Sequence, residues 1–364
     1  MIQTVLLGDV IELAYGKGLP QRSRIPGRFP VFGSNGQVDT HNQSLVNGPG
    51  VIVGRKGSVG EVIWSKQDFW PIDTTYYIRL KNPNDDLRYW YYALKTLGLD
   101  KLNSHSAIPG LNRSIAYAKQ VPLHSTLDQK KIADILGSLD EKIEFNRRMN
   151  ETLEQLGQAL FRHYFVDNPE AKSWESGKVS DVVRIYSGFA FKSKDFDING
   201  KYGLVTIKNV QDGSFIKDCT DHLSEPLPDK TPGYVHLKSG DIILSLTGNV
   251  GRVCIVVGCD YLLNQRVAKL VGDESQAYTY FLFRSKIMKG RMVGISKGTA
   301  QKNLSPIETG KLKIKIPPTN IMSQFEEIAI DLLNMIVSNN EQIQTLTSLR
   351  DSLLPKLISG EVEV

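Results

Sequence analysis

The sequence predicts an α+β protein with two β-rich domains, related by a pseudo-two-fold repeat and separated by two long helices that form an antiparallel coiled coil. Three observations predict this fold. Sequence motifs recur once, at offsets of 172 to 195 residues. Both copies contain short β-branched segments separated by Gly, Asn and Asp turns. A long heptad pattern follows each copy.

Four pairs of segments carry the repeat: 7–11 with 179–183, 50–60 with 241–251, 73–75 with 264–266, and 121–123 with 316–318. Within each copy we expect strands such as 76–80 and 311–316, the latter with a period-2 alternation. We also expect a short helix in each copy, at 87–97 and 277–289. The two copies therefore predict two similar β-rich domains.

The first long helix is predicted over 127–166, about 40 residues or roughly 60 Å. Ser125 with Asp128, or Thr126 with Gln129, gives a capping-box start, and Asn168-Pro169 ends it. Core-compatible residues recur at alternating steps of four and three: Ile132, Leu136, Leu139, Ile143, Asn146, Asn150, Leu153, Gly157 and Leu160. This spacing is a heptad seam.

The second helix repeats that register at an offset of 193: Phe325, Ala329, Leu332, Ile336, Asn339, Ile343, Leu346 and Leu353. It is expected to start near Thr319 or Ser323 and to be kinked or ended by Pro355.

The two seams are predicted to pair with each other in antiparallel fashion, with Asn146 facing Asn339 at the midpoint of each register. A buried asparagine pair lowers stability but fixes the register. In a parallel pair the two asparagines would also be level, so direction is inferred from the short connections of both helices to their domains. The alternative is that each helix lies on its own domain as an ordinary amphipathic helix.

Charge follows the same organisation. The net charge is +5 over 1–123, −3 over 124–170, +8 over 171–318 and −5 over 319–364. Two basic parts that meet a polyanion and two acidic parts that avoid it would give this alternation.

Several function classes find no support in the sequence. Apolar runs are too short for a membrane span, and Asp9 and Glu12 argue against a signal peptide. Three cysteines without CxxC spacing support neither a disulfide framework nor zinc, and we expect a reducing cytoplasm. The six histidines lack metal-ligand spacing, and no phosphate-binding loop or adenine-methylation motif is present. Asp140-Glu-Lys142 lies within the heptad helix, so a binding protein is predicted.

Polar and basic turns in both copies offer donors and acceptors that suit base edges and phosphates. A plain hairpin turn explains any one of them equally well, but they recur at matched positions. The candidate DNA-binding residues are Ser34, Asn35, Gln37, Arg55, Lys56, Ser58, Thr74, Thr75 and His105 in the first copy, and Lys208, Asn209, Thr247, Asn249, Asn264, Gln265, Arg266, Lys297, Thr299, Gln301 and Lys302 in the second.

The chain resembles the specificity subunits of type I restriction–modification enzymes. The stretches that carry the resemblance are 121–133, 139–144, 160–165, 316–325 and the C-terminal 353–361, together with the domain openings and the Gly-x-Val-Gly turns. Ser323 stands where family members usually have Glu.

The resemblance implies a target-recognition domain at 1–123, a spacer helix at 124–168, a second target-recognition domain at 169–318, a second spacer helix at 319–360 and a tail at 361–364. It implies that each domain reads one half of a bipartite duplex DNA target. It also implies two methyltransferase subunits and restriction–translocase subunits as partners. No cofactor is expected on this chain, since S-adenosylmethionine, ATP and Mg²⁺ belong to those partners.

Two other classes remain open from the residues alone. One is a non-enzymatic scaffold whose β domains bind protein or sugar, which failure to bind any duplex would favour. The other is a self-sufficient methyltransferase or nuclease with unfamiliar motifs, which methyl transfer by the isolated chain would favour.

Overall fold

A computed structural model describes residues 3–102, 110–298 and 301–364. The chain divides into two compact units, the first formed by Met1–Ile143 with Thr345–Val364 and the second by Glu144–Gln344. Each unit combines a β-rich domain with parts of two long helices. The predicted α+β class is confirmed.

The first unit follows the predicted pattern of short strands with little helix. Its strands are β1 (Gln3–Leu6), β2 (Ile11–Tyr15), β3 (Phe29–Gly33), β4 (Gly36–His41), β5 (Gly50–Gly54), β6 (Val62–Ser65), β7 (Trp70–Pro71), β8 (Thr75–Leu80) and β9 (Gln120–Leu123). Its helices are α1 (Leu7–Val10), α2 (Leu87–Thr96), α3 (Arg113–Tyr117) and the beginning of α4 (Thr126–Phe161).

The second unit has a similar succession of elements, with one more strand. Its strands are β10 (Ser176–Lys178), β11 (Val183–Ser187), β12 (Tyr202–Val205), β13 (His222–Leu223), β14 (His236–Leu237), β15 (Ile242–Ser245), β16 (Val253–Ile255), β17 (Tyr261–Leu263), β18 (Val267–Gly272) and β19 (Lys313–Lys315). Its helices are α5 (Gln276–Arg284), α6 (Lys286–Ile295), α7 (Pro306–Gly310) and most of α8 (Thr319–Ser359).

The sheets show the repeat directly. An antiparallel sheet has the order β2-β8-β5-β6 in the first unit and β11-β18-β15-β16 in the second. A second sheet contains one parallel pair in each unit, β3 with β7 and β12 with β17. A two-stranded sheet, β1-β9 or β10-β19, joins the first and last strands of each domain.

The short helix predicted over 277–289 is two helices in the structure. Ser285 ends α5, and its hydroxyl accepts the backbone N–H of Met288 at 3.2 Å, which caps the start of α6. A serine that competes for the backbone in this way favours a helix boundary over a continuous helix.

The first long helix begins as predicted. The Ser125 hydroxyl accepts the N–H of Asp128 at 3.2 Å and donates to the Asp128 carboxylate at 2.8 Å. After Phe161 the helix continues as one π-helical turn, Arg162–Val166.

Of the two predicted effects of Pro355, a kink or an end of the second helix, the end is wrong, because α8 continues to Ser359. Pro355 has no N–H for the helix ladder. The turn that follows is held by Leu357 and Ile358, each 2% exposed in the core of the first unit. Burial of these two side chains offsets the lost hydrogen bond.

The two long helices pack together in antiparallel fashion within each unit. In the first unit, Arg350 of α8 donates to Asp140 of α4 at 2.7 Å. In the second unit, Asn146 of α4 donates to Gln342 of α8 at 3.1 Å, and partner numbers rise along one helix as they fall along the other. These contacts exclude the alternative in which each helix lies only on its own domain.

The predicted pairing of Asn146 with Asn339 is corrected by the structure. Asn146 donates to Gln342, and Asn339 donates to Asn150 at 2.9 Å. A helical side chain leans toward the N-terminus of its own helix. In an antiparallel pair, two residues whose side-chain tips meet therefore lie closer to the C-termini of their helices than two residues whose Cα atoms are level.

Each unit has its own apolar core. The first unit buries Trp90 completely, together with Ile132 and Leu136 of the predicted seam. In the second unit Gly157 lies against the ring of Phe281, because a Cβ built on Gly157 would lie 2.0 Å from Phe281 Cζ. Gly157 therefore provides close packing between α4 and α5.

Candidate nucleic-acid interface

Three loops of the first unit come together at one end of its antiparallel sheet. The backbone N–H groups of Arg55 and Lys56 both donate to the carbonyl of Thr74, at 2.9 and 3.1 Å. The Arg55 guanidinium also donates to the carbonyl of Asp73 at 3.0 Å. Residues 55–58 and 73–75, which are far apart in the sequence, thus form one surface.

The turn at Ser34 adjoins this surface. A Cβ built on Gly57, which has a φ of 80°, would lie 3.1 Å from Ser34 Oγ, and one built on Gly54 would lie 3.1 Å from the Ser34 carbonyl oxygen. Asn35 is exposed in this turn, and the exposed side chain of Gln37 donates to the carbonyl of Asp39. Three of the predicted segments in the first copy are therefore neighbours.

The structure adds two residues that the sequence reasoning missed. Tyr15 at the end of β2 is 50% exposed, and the guanidinium groups of Arg55 and Arg113 lie 4.9 and 5.0 Å from the centroid of its ring. Tyr76 lies beneath, with its ring centroid 5.1 Å from that of Tyr15. Burial raises the pKa of Tyr76, while the two arginines oppose this rise. Tyr15 and Arg113 do not belong to the turn segments that recur in both copies, so the repeat did not point to them.

Two predicted residues of the first copy stand apart from the others. Thr75 is completely buried, and its hydroxyl donates to the carbonyl of Ile72 at 2.8 Å. Its side chain holds the turn and is not presented to a ligand. His105 lies outside the described residues.

The second unit brings its predicted turns together in the same way. Gly248 N–H donates to the carbonyl of Lys302 at 2.9 Å, and Leu246 N–H donates to the carbonyl of Arg266 at 2.9 Å. Lys297 and Asn303 exchange backbone hydrogen bonds of 2.9 and 2.8 Å. The loops around 247, 265 and 301 therefore form one surface.

Three predicted contact residues of the second copy are buried and already bonded. The Asn209 amide, 2% exposed, donates to the carbonyls of Ile216 and Asp218. The Thr247 hydroxyl donates to the Asn303 side chain at 3.0 Å. Asn264 is 8% exposed and accepts the N–H of the next residue. These side chains hold the loops, so we leave them out of the interface.

The remaining predicted side chains of the second copy are exposed: Lys208, Asn249, Gln265, Arg266, Lys297, Gln301 and Lys302. Thr299 lies outside the described residues. Arg266 has a φ of 71°, which places an arginine in the left-handed region at the tip of its turn. The exposed set is rich in cations and amides, the groups that contact phosphates and base edges.

Comparison with known families decides the identity. Residues 2–155 and 171–347 match the family described as the type I restriction modification DNA specificity domain. The chain belongs to this family. It is a DNA specificity subunit of a type I restriction–modification system, and such subunits are non-catalytic.

Similar proteins cover most of the chain. The chain is 27% identical over 343 residues to the type I restriction enzyme MjaIX specificity subunit of Methanocaldococcus jannaschii, covering 86% of this chain and 78% of that protein. The MjaVIII specificity subunit of the same organism is 25% identical over 401 residues and covers 100% and 93%. The crystal structure of a type I restriction–modification S subunit from M. genitalium superposes with a TM-score of 0.68 at 19% identity, covering 98% of this chain and 96% of that one. That similarity shows a shared fold.

None of the described helices combines the length and apolarity needed to cross a bilayer. Within the described ranges, no group of three or more His, Cys, Asp or Glu side chains is placed to hold a metal ion.

Proposed function

We propose that each β-rich domain binds one half of a bipartite duplex DNA target through the loops described above. The observation that carries this proposal is the shared loop framework of the two units. Leu111 N–H donates to the Arg55 carbonyl as Leu304 N–H donates to the Leu246 carbonyl. Two copies of one loop framework with different exposed side chains suit two half-sites of different sequence.

The domain assignments extend the proposal. Residues 1–123 and 169–318 are the two target-recognition domains, 124–168 and 319–360 are the spacer helices, and 361–364 is the tail. The helix pair sets the number of unread base pairs between the half-sites. The antiparallel side-chain contacts within each unit support this assignment, because they fix the register of the pair.

The partners follow from the family. Two methyltransferase subunits bind this chain, and restriction–translocase subunits join through them. S-adenosylmethionine, ATP and Mg²⁺ are bound by those subunits, and the complex acts on DNA in the cytoplasm. The acidic composition of both helical segments supports a protein partner at these segments, since like charge disfavours contact with phosphate.

Domain exchange tests the reading of half-sites. The chain is co-expressed with a methyltransferase subunit of a type I system, and methylated adenines are mapped in genomic DNA. Replacing residues 1–123 by the same domain of another family member should change one half of the methylated target only. A change in both halves would contradict the modular assignment, and absence of site-specific methylation with the wild-type chain would contradict the proposed function.

Heptad insertion tests the spacing role. One heptad inserted into both helices lengthens the pair by about 10 Å, or roughly 3 base pairs at 3.4 Å each. The methylated target should then keep both half-sites and gain about that many unread base pairs. Insertion into α4 alone is the control, because it breaks the register and should lower the yield of folded complex. An unchanged number of unread base pairs after the double insertion would refute the proposal that the length of the helix pair sets the spacing.

A further inference from the structure

Two arginines of the first unit meet at one tyrosine ring without a carboxylate to balance them. Arg55 and Arg113 both lie about 5 Å from the Tyr15 ring centroid. Among the described residues, neither arginine takes part in an ion pair with an Asp or Glu side chain, whereas Arg24, Arg79 and Arg88 do. Two neighbouring cations repel each other unless an anion lies between or beside them.

Both guanidinium groups are held in place before any ligand arrives. Arg55 donates one N–H to the Asp73 carbonyl at 3.0 Å, and Arg113 donates one to the Leu13 carbonyl at 3.4 Å. Both guanidinium groups also lie over the half-exposed Tyr15 ring, which attracts them as cations. A guanidinium carries five N–H donors, so each retains donors for a ligand. An anion bound here would meet donors that lose little freedom on binding.

The second unit shows that the fold does not require these charges. The main-chain hydrogen bonds that the two units share show which residues correspond. Ser187 corresponds to Tyr15, Leu246 to Arg55 and Pro306 to Arg113. Leu246 is 7% exposed and apolar. The same loops therefore form without an arginine at any of these three matched positions. The loop framework therefore does not need the arginine pair of the first unit, and ligand binding would explain why the pair is present.

We propose that Arg55 and Arg113 bind the phosphate backbone of the DNA half-site that the first unit contacts. This inference rests on the proposed function and names residues that carry part of it. Both groups lie against a protein ring and a main-chain carbonyl, which suits the outer backbone of a duplex better than a base edge deep in a groove. Arginine donors match phosphate geometry, and such contacts fix the register of the protein on the duplex.

The test uses the full-length chain in complex with its methyltransferase subunits. Affinity is measured by fluorescence anisotropy for a duplex carrying the mapped target and for a scrambled duplex, between about 50 and 200 mM KCl. Arg55→Gln and Arg113→Gln should each weaken binding to both duplexes by about tenfold. Each should also lower the slope of log affinity against log salt by about 1. Arg113→Lys keeps the charge and should keep most of the slope.

Arg79→Gln is the matched control. Arg79 is also stacked on a tyrosine, 5.2 Å from the Tyr77 ring centroid, but it is balanced by Glu12 at 3.6 Å. Arg79→Gln should leave the DNA affinity and its salt dependence unchanged. Equal melting temperatures check that all variants fold. An unchanged slope with relaxed sequence at one base position would overturn the phosphate assignment in favour of a base contact. Unchanged binding in both glutamine variants would overturn the site, whereas a wild-type complex without salt-dependent binding would contradict the proposed function itself.

Discussion

The strands that end at Tyr15 and Ser187 have the same main-chain neighbours but different side chains around them. Gly16 N–H donates to the Thr75 carbonyl in the first unit, as Gly188 N–H donates to the Val267 carbonyl in the second. Both strands lie at the edge of their sheet. The difference lies in what covers that edge.

In the first unit, α3 covers the edge with side chains. The Tyr117 hydroxyl accepts the N–H of Leu13 at 2.9 Å, and Arg113 donates to the Leu13 carbonyl. In the second unit, Gly310 and Pro306 stand at the corresponding positions of α7. A groove of about 490 Å³ remains beside β11, lined in part by Arg184, Tyr186 and Lys311. Edge strands with free backbone groups are open to further contacts.

This comparison separates framework from surface. Main-chain hydrogen bonds and buried rings maintain the loop arrangement in both units. The side chains at the sheet edge differ, so the two units present different chemistry from one framework. Substitutions in the shared core should therefore act alike in both units, and substitutions at the edge should not.

The largest effect is expected in the shared core. Tyr92 and Phe281 occupy the same position of α2 and α5 and are 1% and 0% exposed. Tyr92→Ala and Phe281→Ala should each lower the free energy of unfolding by about 3–5 kcal/mol, because each leaves a large cavity. Urea unfolding followed by circular dichroism measures both. Ile198→Ala, at a side chain that is 87% exposed, should change it by less than about 0.5 kcal/mol. A small effect at either buried ring would contradict a shared core.

The edge should respond differently in the two units. Tyr117→Phe removes the acceptor of the Leu13 N–H, and Leu13 is completely buried. The unsatisfied donor should cost about 1–3 kcal/mol of unfolding free energy. Tyr234→Phe in the second unit removes a hydroxyl that donates to the exposed Ser187 carbonyl at 3.0 Å, which water then satisfies. It should cost less than about 0.5 kcal/mol. Equal losses would show that the two edges are covered alike.

The sequence was informative where structure follows a period. The heptad spacing predicted both long helices, because residues three and four apart share a helix face, and Ile132, Leu136 and Phe325 are buried as expected. The asparagine pairing was wrong, because a register counted from Cα positions ignores the lean of the side chains.

The site was predictable only in part. The same residue types make turns and contact bases, so sequence alone did not separate Asn209 and Thr247, which hold loops, from exposed residues such as Gln265. The meeting of Arg113 with Tyr15 depends on contacts between segments about 100 residues apart. No local pattern encodes such a contact.

Helix caps test whether the short helices beside the edge are equivalent. The Asn112 side chain accepts the N–H of Ser114 at 2.8 Å at the start of α3, and the Ser305 hydroxyl accepts the N–H of Glu308 at 3.3 Å at the start of α7. Asn112→Ala and Ser305→Ala should each cost about 1 kcal/mol of unfolding free energy. Thermal unfolding of both variants measures this. A loss at only one cap would show that the two helices contribute differently.

The smallest expected effect is a pH dependence from one carboxyl group of the second unit. Glu326 of α8 accepts the N–H groups of Ala277 and Tyr278, at 2.7 and 3.0 Å, at the start of α5. Burial raises the pKa of Glu326 above its ordinary value, although these backbone hydrogen bonds oppose the rise. In the first unit, the Asp86 side chain caps the start of α2 by accepting the N–H of Tyr89. The neutral side chain of Gln129 accepts the backbone N–H of Asp86.

A carboxyl whose pKa is higher in the folded protein holds its proton more tightly there than in the unfolded chain. The contribution of Glu326 to stability should therefore become less favourable as pH rises from its unfolded pKa, near 4.5, through its folded pKa. The unfolding free energy of the wild type relative to Glu326→Gln should fall across that window and level off above it. Urea unfolding of both proteins at a series of pH values measures the difference. A difference that rises with pH would mean that the two N–H groups outweigh burial, and the start of α5 would then favour an anion.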